Sequence, residues 1–232
     1  MTRMTPRRQI EMPDSWEDPL AHDDGPAEKV KFDSRLALDV AADLCPLFMP
    51  LCAEGNPARL LKVCGSLRRR RKMVGDVEIV FAPRMVCVKP EERDLLGELL
   101  RPAVHEPATH ALLDDLVSRG VLRKRVKCNG ALTGWGQWNR FATHVESGIP
   151  VDFFGCTEAS FWNTVVCRTG GKVTNTRICM AAQAMGWHWE PSPDEAGFQR
   201  RVGLAIERHA VTSEREVFGF VGMDYQEPWE RE

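Results

Sequence analysis

Two carboxylates two residues apart, Asp76 and Glu78, stand in an apolar segment that runs Gly75-Asp76-Val77-Glu78-Ile79-Val80-Phe81. Side chains alternate across a strand, so both point to one face. On a buried face such a pair repels itself. It is tolerable only with a cation between the two or with one of them protonated. A third carboxylate, Asp152, lies in another strand-like run, residues 149–154, flanked by Val151 and Phe153. Three carboxylates on neighbouring strands make a hard oxygen cage, which suits Mg²⁺ or Mn²⁺. Without its flanking residues, the 76/78 pair reads rather as the solvent-facing side of an edge strand.

The flanks carry more chemistry. Upstream, Gly65-Ser66 is a small-residue turn, followed by a basic run from Arg68 to Lys72 and a second turn glycine, Gly75. Glycine lets backbone approach an anion, and Ser66 can offer a hydroxyl and a backbone N–H. Downstream come Arg168-Thr169-Gly170-Gly171, Asn175 and Gly186, then the tail TSEREVFGFVGMDYQEPWER from Thr212 to Arg231.

Taken in this order, these residues resemble the polymerase-beta-like nucleotidyltransferases. Their signature is a Gly-Ser turn followed about ten residues later by Asp-x-Asp or Asp-x-Glu. The chain is most similar to family X DNA polymerases and to short nucleotidyltransferases of bacteria and their phages. Asp152 fits the third carboxylate, and Thr169-Gly170-Gly171 resembles the family's Thr-Gly-Ser turn. The tail resembles its Ser-Glu-x-x-(Ile/Val)-Phe…Tyr-x-x-Pro-x-x-Arg segment. The likeness covers roughly residues 34–232.

The resemblance implies that Asp76, Glu78 and Asp152 hold two divalent ions, Mg²⁺ or Mn²⁺. One lowers the pKa of an attacking 3′-hydroxyl and the other grips the triphosphate. It implies that Asp152 accepts the proton, that Gly65 and Ser66 receive the β- and γ-phosphates, and that Arg69 binds the triphosphate. Gly75 lies against the phosphates or simply serves its turn. Thr169 and Gly170 lie under the nucleotide sugar. Arg168 contacts phosphate or favours a helix C-terminus. Asn175 contacts a base edge or is a surface helical residue. Four departures stand out, the first being Gly171 in place of the usual Ser. Glu78 replaces the commoner Asp, Cys167-Arg168 replaces an aromatic pair, and Pro150 stands where many family members carry an arginine two before the third carboxylate.

Composition bounds the rest. The chain has 232 residues and a formal net charge of −2, so any grip on a polyanion must come from local patches. No run of about eighteen apolar residues exists to span a membrane. The N-terminus lacks the apolar core of a secretory signal. The eight cysteines show no C-x-x-C spacing, which argues against a zinc site and for reduced core residues of a cytoplasmic protein. The six histidines form no catalytic set.

The expected fold is α+β, a small mixed or antiparallel sheet carrying the carboxylates with helices on one face, plus a C-terminal thumb-like lobe. The expected division is a mobile tail (1–32), a nucleotidyltransferase palm (33–157) and the lobe (158–232). Apolar spacing predicts a helix over 34–52, with Leu36, Val40, Leu44, Phe48 and Leu51 on its face. Strands are expected at 60–64 and 77–82, and two helical bits around 91–100. A helix over 110–119 ends at Gly120. The strand 121–127 presents Arg123, Arg125 and Lys127 as a basic face for DNA, and Asn129-Gly130 is a hairpin turn. A strand is expected at 140–145, helices at 158–167 and 172–185, and a short strand at 187–190. Residues 200–209 read as strand or helix, and 212–222 as a final helix.

The leading functional reading is a monomeric nucleotidyltransferase that moves a nucleoside monophosphate from a (deoxy)nucleoside triphosphate to a 3′-hydroxyl of primed or gapped DNA. One rival keeps the chemistry but uses tRNA, a protein or a small molecule as acceptor. The other is a catalytically silent nucleotide or nucleic-acid binding module.

Overall fold

The computed structural model describes residues 30–53, 60–126, 130–190, 192–194 and 197–232. Most of the expected tail, Lys127 and Asn129 lie outside them. In chain order the elements are β1 (Phe32–Asp33), α1 (Ser34–Phe48), β2 (Leu61–Val63), α2 (Gly65–Arg68), β3 (Met73–Val74), β4 (Val77–Phe81), β5 (Met85–Lys89), β6 (Glu92–Arg93), β7 (Leu99–Arg101), β8 (Val104–Pro107), α3 (Thr109–Ser118), β9 (Leu122–Lys124), β10 (Asn139–His144), β11 (Pro150–Gly155), α4 (Phe161–Thr169), α5 (Lys172–Ala184), β12 (His188–Trp189), β13 (Phe198–Val202), β14 (Ala205–His209) and α6 (Glu214–Phe220).

The expected α+β class holds. A five-stranded mixed sheet runs β2-β4-β11-β10-β9, with β4 and β11 parallel and the other pairs antiparallel. Alternation sorts its side chains. Val77, Ile79, Phe81, Leu122, Val151 and Phe153 join one core beneath α1 and α3. Val80, Phe141 and Phe154 join a second cluster with Phe161 and Val165 of α4 on the other side. Asp33 caps α1 by accepting the Arg35 N–H at 2.7 Å. The buried stripe of α1 is Ala37, Val40, Ala41, Leu44 and Phe48; Leu36 is exposed, against expectation. Phe48 stacks on Phe153 at 5.2 Å, seating the helix over the strand that carries Asp152.

Residues 91–100 are not helical. β5 pairs with β8, and β6 with β7, as two-stranded ribbons. Prolines at 90 and 102 only bound this segment, and Gly97 within it weakens a helix. The Asp94 carboxylate accepts N–H bonds from Leu96 and Glu98, and Gly97 takes φ +83°, so the local hydrogen bonds favour a tight turn. Residues 200–209 take the strand alternative: β12-β13-β14 form a small sheet, with Gly203 at φ +62° in its hairpin. This sheet packs with α5 and α6 around Val166, Ile178, Trp189, Phe198 and Phe218. Among the described residues no helix is long and apolar enough to cross a membrane.

Candidate active site

The carboxylates gather at the start of the parallel pair. Asp76 directly precedes β4, Glu78 is its second residue, and Glu78 stands opposite Asp152 in the β4–β11 register. Parallel strands lie about 4.8 Å apart, so these two side chains are immediate neighbours on one face. Burial pushes Glu78 up to about 8, helped by the charges of Asp76 and Asp152 and opposed by Arg168 and Arg69. Burial likewise raises Asp152 to about 7, offset in part by Arg125, with Asp76 raising it further.

These three oxygen-bearing groups repel one another on a largely buried face, so the donor set fits a hard divalent cation. Their side chains are not drawn into one cage. Among the described residues no trio of His, Cys, Asp and Glu converges to hold an ion. Two of the three carboxylates have protein contacts of their own. The Asp152 Oδ1 is held by the Arg125 guanidinium. The Glu78 carboxylate lies against Gly65, where an added Cβ would come 1.6 Å from Oε2.

Gly65 opens the one-turn helix α2 with φ +64°. The Cys64 N–H donates to Glu78 O at 2.8 Å, which ties this turn to β4. Ser66 is half-buried beside it. Gly75 has open space in front of its Cα, where an added Cβ would meet nothing within 4 Å. Arg69 donates to Thr169 O, and burial lowers its pKa against the pull of Glu78 and Asp76. It therefore stands between the carboxylates and the 168–171 turn.

That turn closes α4 and opens α5. Gly170 takes φ +56°, and the Gly170–Gly171 peptide is cis. A Cβ on Gly171 would meet the Glu232 carbonyl carbon at 2.0 Å, a packing reason for Gly where the resemblance leads one to expect Ser. The Arg168 guanidinium lies 3.9 Å over Phe154 and electrostatically favours the ionised forms of Glu78 and Asp152. This places it beside the carboxylates. The Asn175 amide donates to Cys167 O at 2.9 Å, and its Oδ1 is buried with no partner.

The expected DNA face divides. Arg123 is exposed on β9. Arg125 shares that face, but its guanidinium is held on the Asp152 carboxylate and does not face outward as expected. Lys127 lies outside the described residues.

Sequence reasoning missed a clamp. Arg68, named in the sequence only as the start of the basic run, donates to Thr169 Oγ1 at 2.7 Å and to Glu214 Oε1. Arg231, fully buried, donates to Glu214 Oε2 at 2.7 Å and to Gln226 O. Burial raises Glu214, but the two arginines together hold it below the usual glutamate value. Glu214 and Arg231 are the Glu and Arg of the tail motif, so the signal was present in the sequence.

No family model matches the chain. It is 26% identical over 208 residues to DNA polymerase lambda of Rattus norvegicus, a match covering 87% of this chain and 34% of that protein. The chain thus spans about a third of the length of this curated relative. Its fold matches polymerase beta of Leishmania infantum in a ternary P/T complex, with a TM-score of 0.61 and 19% identity, over 88% of this chain and 77% of that one. The ternary gap complex of the same polymerase matches at the same TM-score, over 71% of its chain. The chain is thus similar in sequence to DNA polymerase lambda and shares its fold with polymerase beta.

Proposed function

We propose that this chain is a divalent-metal-dependent nucleotidyltransferase that moves a nucleoside monophosphate from a (deoxy)nucleoside triphosphate to a 3′-hydroxyl of DNA. The observation that carries this is the register of Glu78 against Asp152, with Asp76 two residues ahead of Glu78 and Arg69 facing them. Asp76, Glu78 and Asp152 would hold the ions, which supply charge neutralisation and activation of the hydroxyl.

The chain's own groups do the rest. Arg69 is anchored on the Thr169 carbonyl with its charge toward the acids, where it can receive a triphosphate. The open space over Gly75 admits a ligand next to the turn. Gly170 and Thr169, held by Arg69 and Arg68, form a rigid floor for the sugar. Asp152, on the same face, is the acceptor for the hydroxyl proton. Arg123 continues this face outward, where a DNA backbone can follow it. The match to polymerase beta in complexes described as ternary P/T and ternary gap supports DNA as the acceptor class.

The test is incubation with Mg²⁺ or Mn²⁺, each labelled nucleotide and gapped, primed or single-stranded DNA, scored by pyrophosphate release and primer length. Extension of primed or gapped DNA, lost in Asp76→Ala, is expected. No pyrophosphate from any nucleotide, together with melting that ignores metal, would overturn the reading.

A further inference from the structure

Arg125 directly follows β9 and could have faced solvent, as Arg123 does. Its main chain is instead pinned on both sides. Its N–H donates to Phe141 O at 3.1 Å, and its carbonyl accepts the Thr133 N–H at 2.9 Å. The guanidinium lies over the Phe141 ring, 5.0 Å from the centroid. Phe141 stands opposite Asp152 across β10 and β11. Gly134 makes room for that ring, since a Cβ there would come within 2.3 Å of it. Loop, ring, guanidinium and carboxylate thus form one chain of contacts ending at Asp152. The Arg125 Nε is buried without an acceptor. A loosely held arginine would turn that donor to water. The surroundings therefore dictate its position, and what they dictate is the bond to Asp152.

We infer that Arg125 is a positioning residue for the third carboxylate. It holds one oxygen of Asp152 so that the other is presented to the cation shared with Asp76 and Glu78. This rests on the function proposed above. Arginine suits the task because its planar fork fixes a carboxylate's orientation and it stays charged at any working pH. Outer partners that fix a ligating group are typically worth ~10–100-fold in metal affinity. A different role predicts the opposite sign. If Arg125 merely occupied the cation's place, removing it would tighten metal binding.

The experiment titrates Mn²⁺ alone into the full chain and its Arg125→Met and Arg125→Lys variants. Free Mn²⁺ is read by electron paramagnetic resonance, with thermal melts on the same samples. Binding to primed DNA is then measured across salt concentrations. Arg125→Met should bind Mn²⁺ about 10–100-fold more weakly, and Arg125→Lys should recover part of the loss. The salt slope of DNA binding should stay at the wild-type value in Arg125→Met, whereas Arg123→Met should flatten it by about one phosphate contact. Unchanged or tighter Mn²⁺ binding in a folded Arg125→Met protein overturns the inference, as does a flattened salt slope in that variant. Should Arg125→Met fail to fold, wild-type Mn²⁺ affinity in Arg125→Lys, which keeps the charge and loses the fork, overturns it equally. Absence of Mn²⁺ uptake by the wild-type chain is a distinct result, which removes the proposed function and this inference together.

Discussion

Gly65→Ala separates the needs of the fold from those of the site. The residue sits at φ +64°, where an L side chain costs about 1–2 kcal/mol. For a chain of this size that lowers the melting temperature by roughly 2–8 °C. The second effect is local. The new methyl would lie 1.6 Å from Glu78 Oε2, 2.7 Å from Cδ and 3.2 Å from Cγ. Ordinary contact begins near 3.4 Å, so Oε2 must retreat by about 1.8 Å (3.4 less 1.6). The far end of a glutamate can move that much without unfolding anything. On the proposed function, a shift of that size takes Oε2 away from the position from which it would ligate a cation. Misplacing a reacting group by 1 Å costs on the order of 10²-fold in rate.

The variant should therefore stay folded and lose at least about 10²-fold in turnover, by the same rule. Pyrophosphate release at saturating nucleotide and primed DNA reads the second effect, and a melt reads the first. Gly75→Ala is the comparison for stability, because its φ is ordinary and a Cβ there meets nothing within 4 Å. It should melt no lower than wild type, since losing unfolded-state freedom at a compatible site is mildly stabilising. Wild-type turnover in Gly65→Ala would show that the carboxylate position at Gly65 has no part in the chemistry.

Arg69→Ala should raise the KM for nucleotide by the equivalent of about 1.5–3 kcal/mol, the worth of a hydrogen bond to a charged group. Arg71→Ala should barely change KM, and equal effects would make the run a diffuse patch. Asp152→Asn should fold normally and lose about 10²–10⁴-fold in turnover if Asp152 takes the proton; a small loss in single-turnover assays would assign that proton elsewhere. Glu214→Gln leaves Arg231 buried and half-paired, which should cost about 3–5 kcal/mol at pH 7 by denaturant titration. Its folded pKa is depressed, so the wild-type advantage is present above the ordinary glutamate value near 4.3 and is lost as pH falls through the folded pKa. The two proteins should converge in acid, and a gap that persists at pH 3 would mean that packing, not charge, is what Glu214 supplies.

Much of the fold was legible because its signals are local. α1, α3 and α5 carry apolar spacing with Asp33, Gly120 and Gly186 at their ends, and β4 and β11 are short apolar runs. Residues 91–100 misled because leucines at helical spacing, Leu95, Leu96, Leu99 and Leu100, are all exposed on a ribbon. Periodicity reports burial only when something is buried. For α1 the stripe was shifted, since alanines 37 and 41 are small enough to let helix and sheet approach while Leu36 faces out. Strand alternation anticipated the pairing of Asp76 with Glu78, and the resemblance supplied Asp152 as their third partner. Arg125 was not anticipated, because an alternating strand gives a face and not the partner waiting on it. Its bond to Asp152 depends on which strands are neighbours in the sheet, and β9 reaches Asp152 only across β10.

The run Arg68 to Arg71 shows how identical neighbouring residues acquire different environments. α2 is a single turn, and each residue advances about 100°. Arg68 points to Thr169 and Glu214, and Arg69 to the Thr169 carbonyl beside the acids. The turn then closes as a Schellman motif, with the Arg71 N–H on Ser66 O at 3.0 Å and the Arg70 N–H on Leu67 O at 2.9 Å. That motif demands a left-handed residue, and Arg70 takes φ +57°. Glycine would serve there at no steric cost, whereas a side chain costs about 1–2 kcal/mol. The Arg70 guanidinium lies 3.8 Å over Trp229, a contact worth roughly 0.5–1 kcal/mol at a partly exposed site. The backbone cost is thus only partly offset, and stability alone does not select arginine at this position. What arginine adds is a second link, after Arg68–Glu214, between the turn that starts the site and the tail that ends the chain. Both links tie α2 to the same C-terminal segment, so the turn beneath Glu78 is held from the far side of the site.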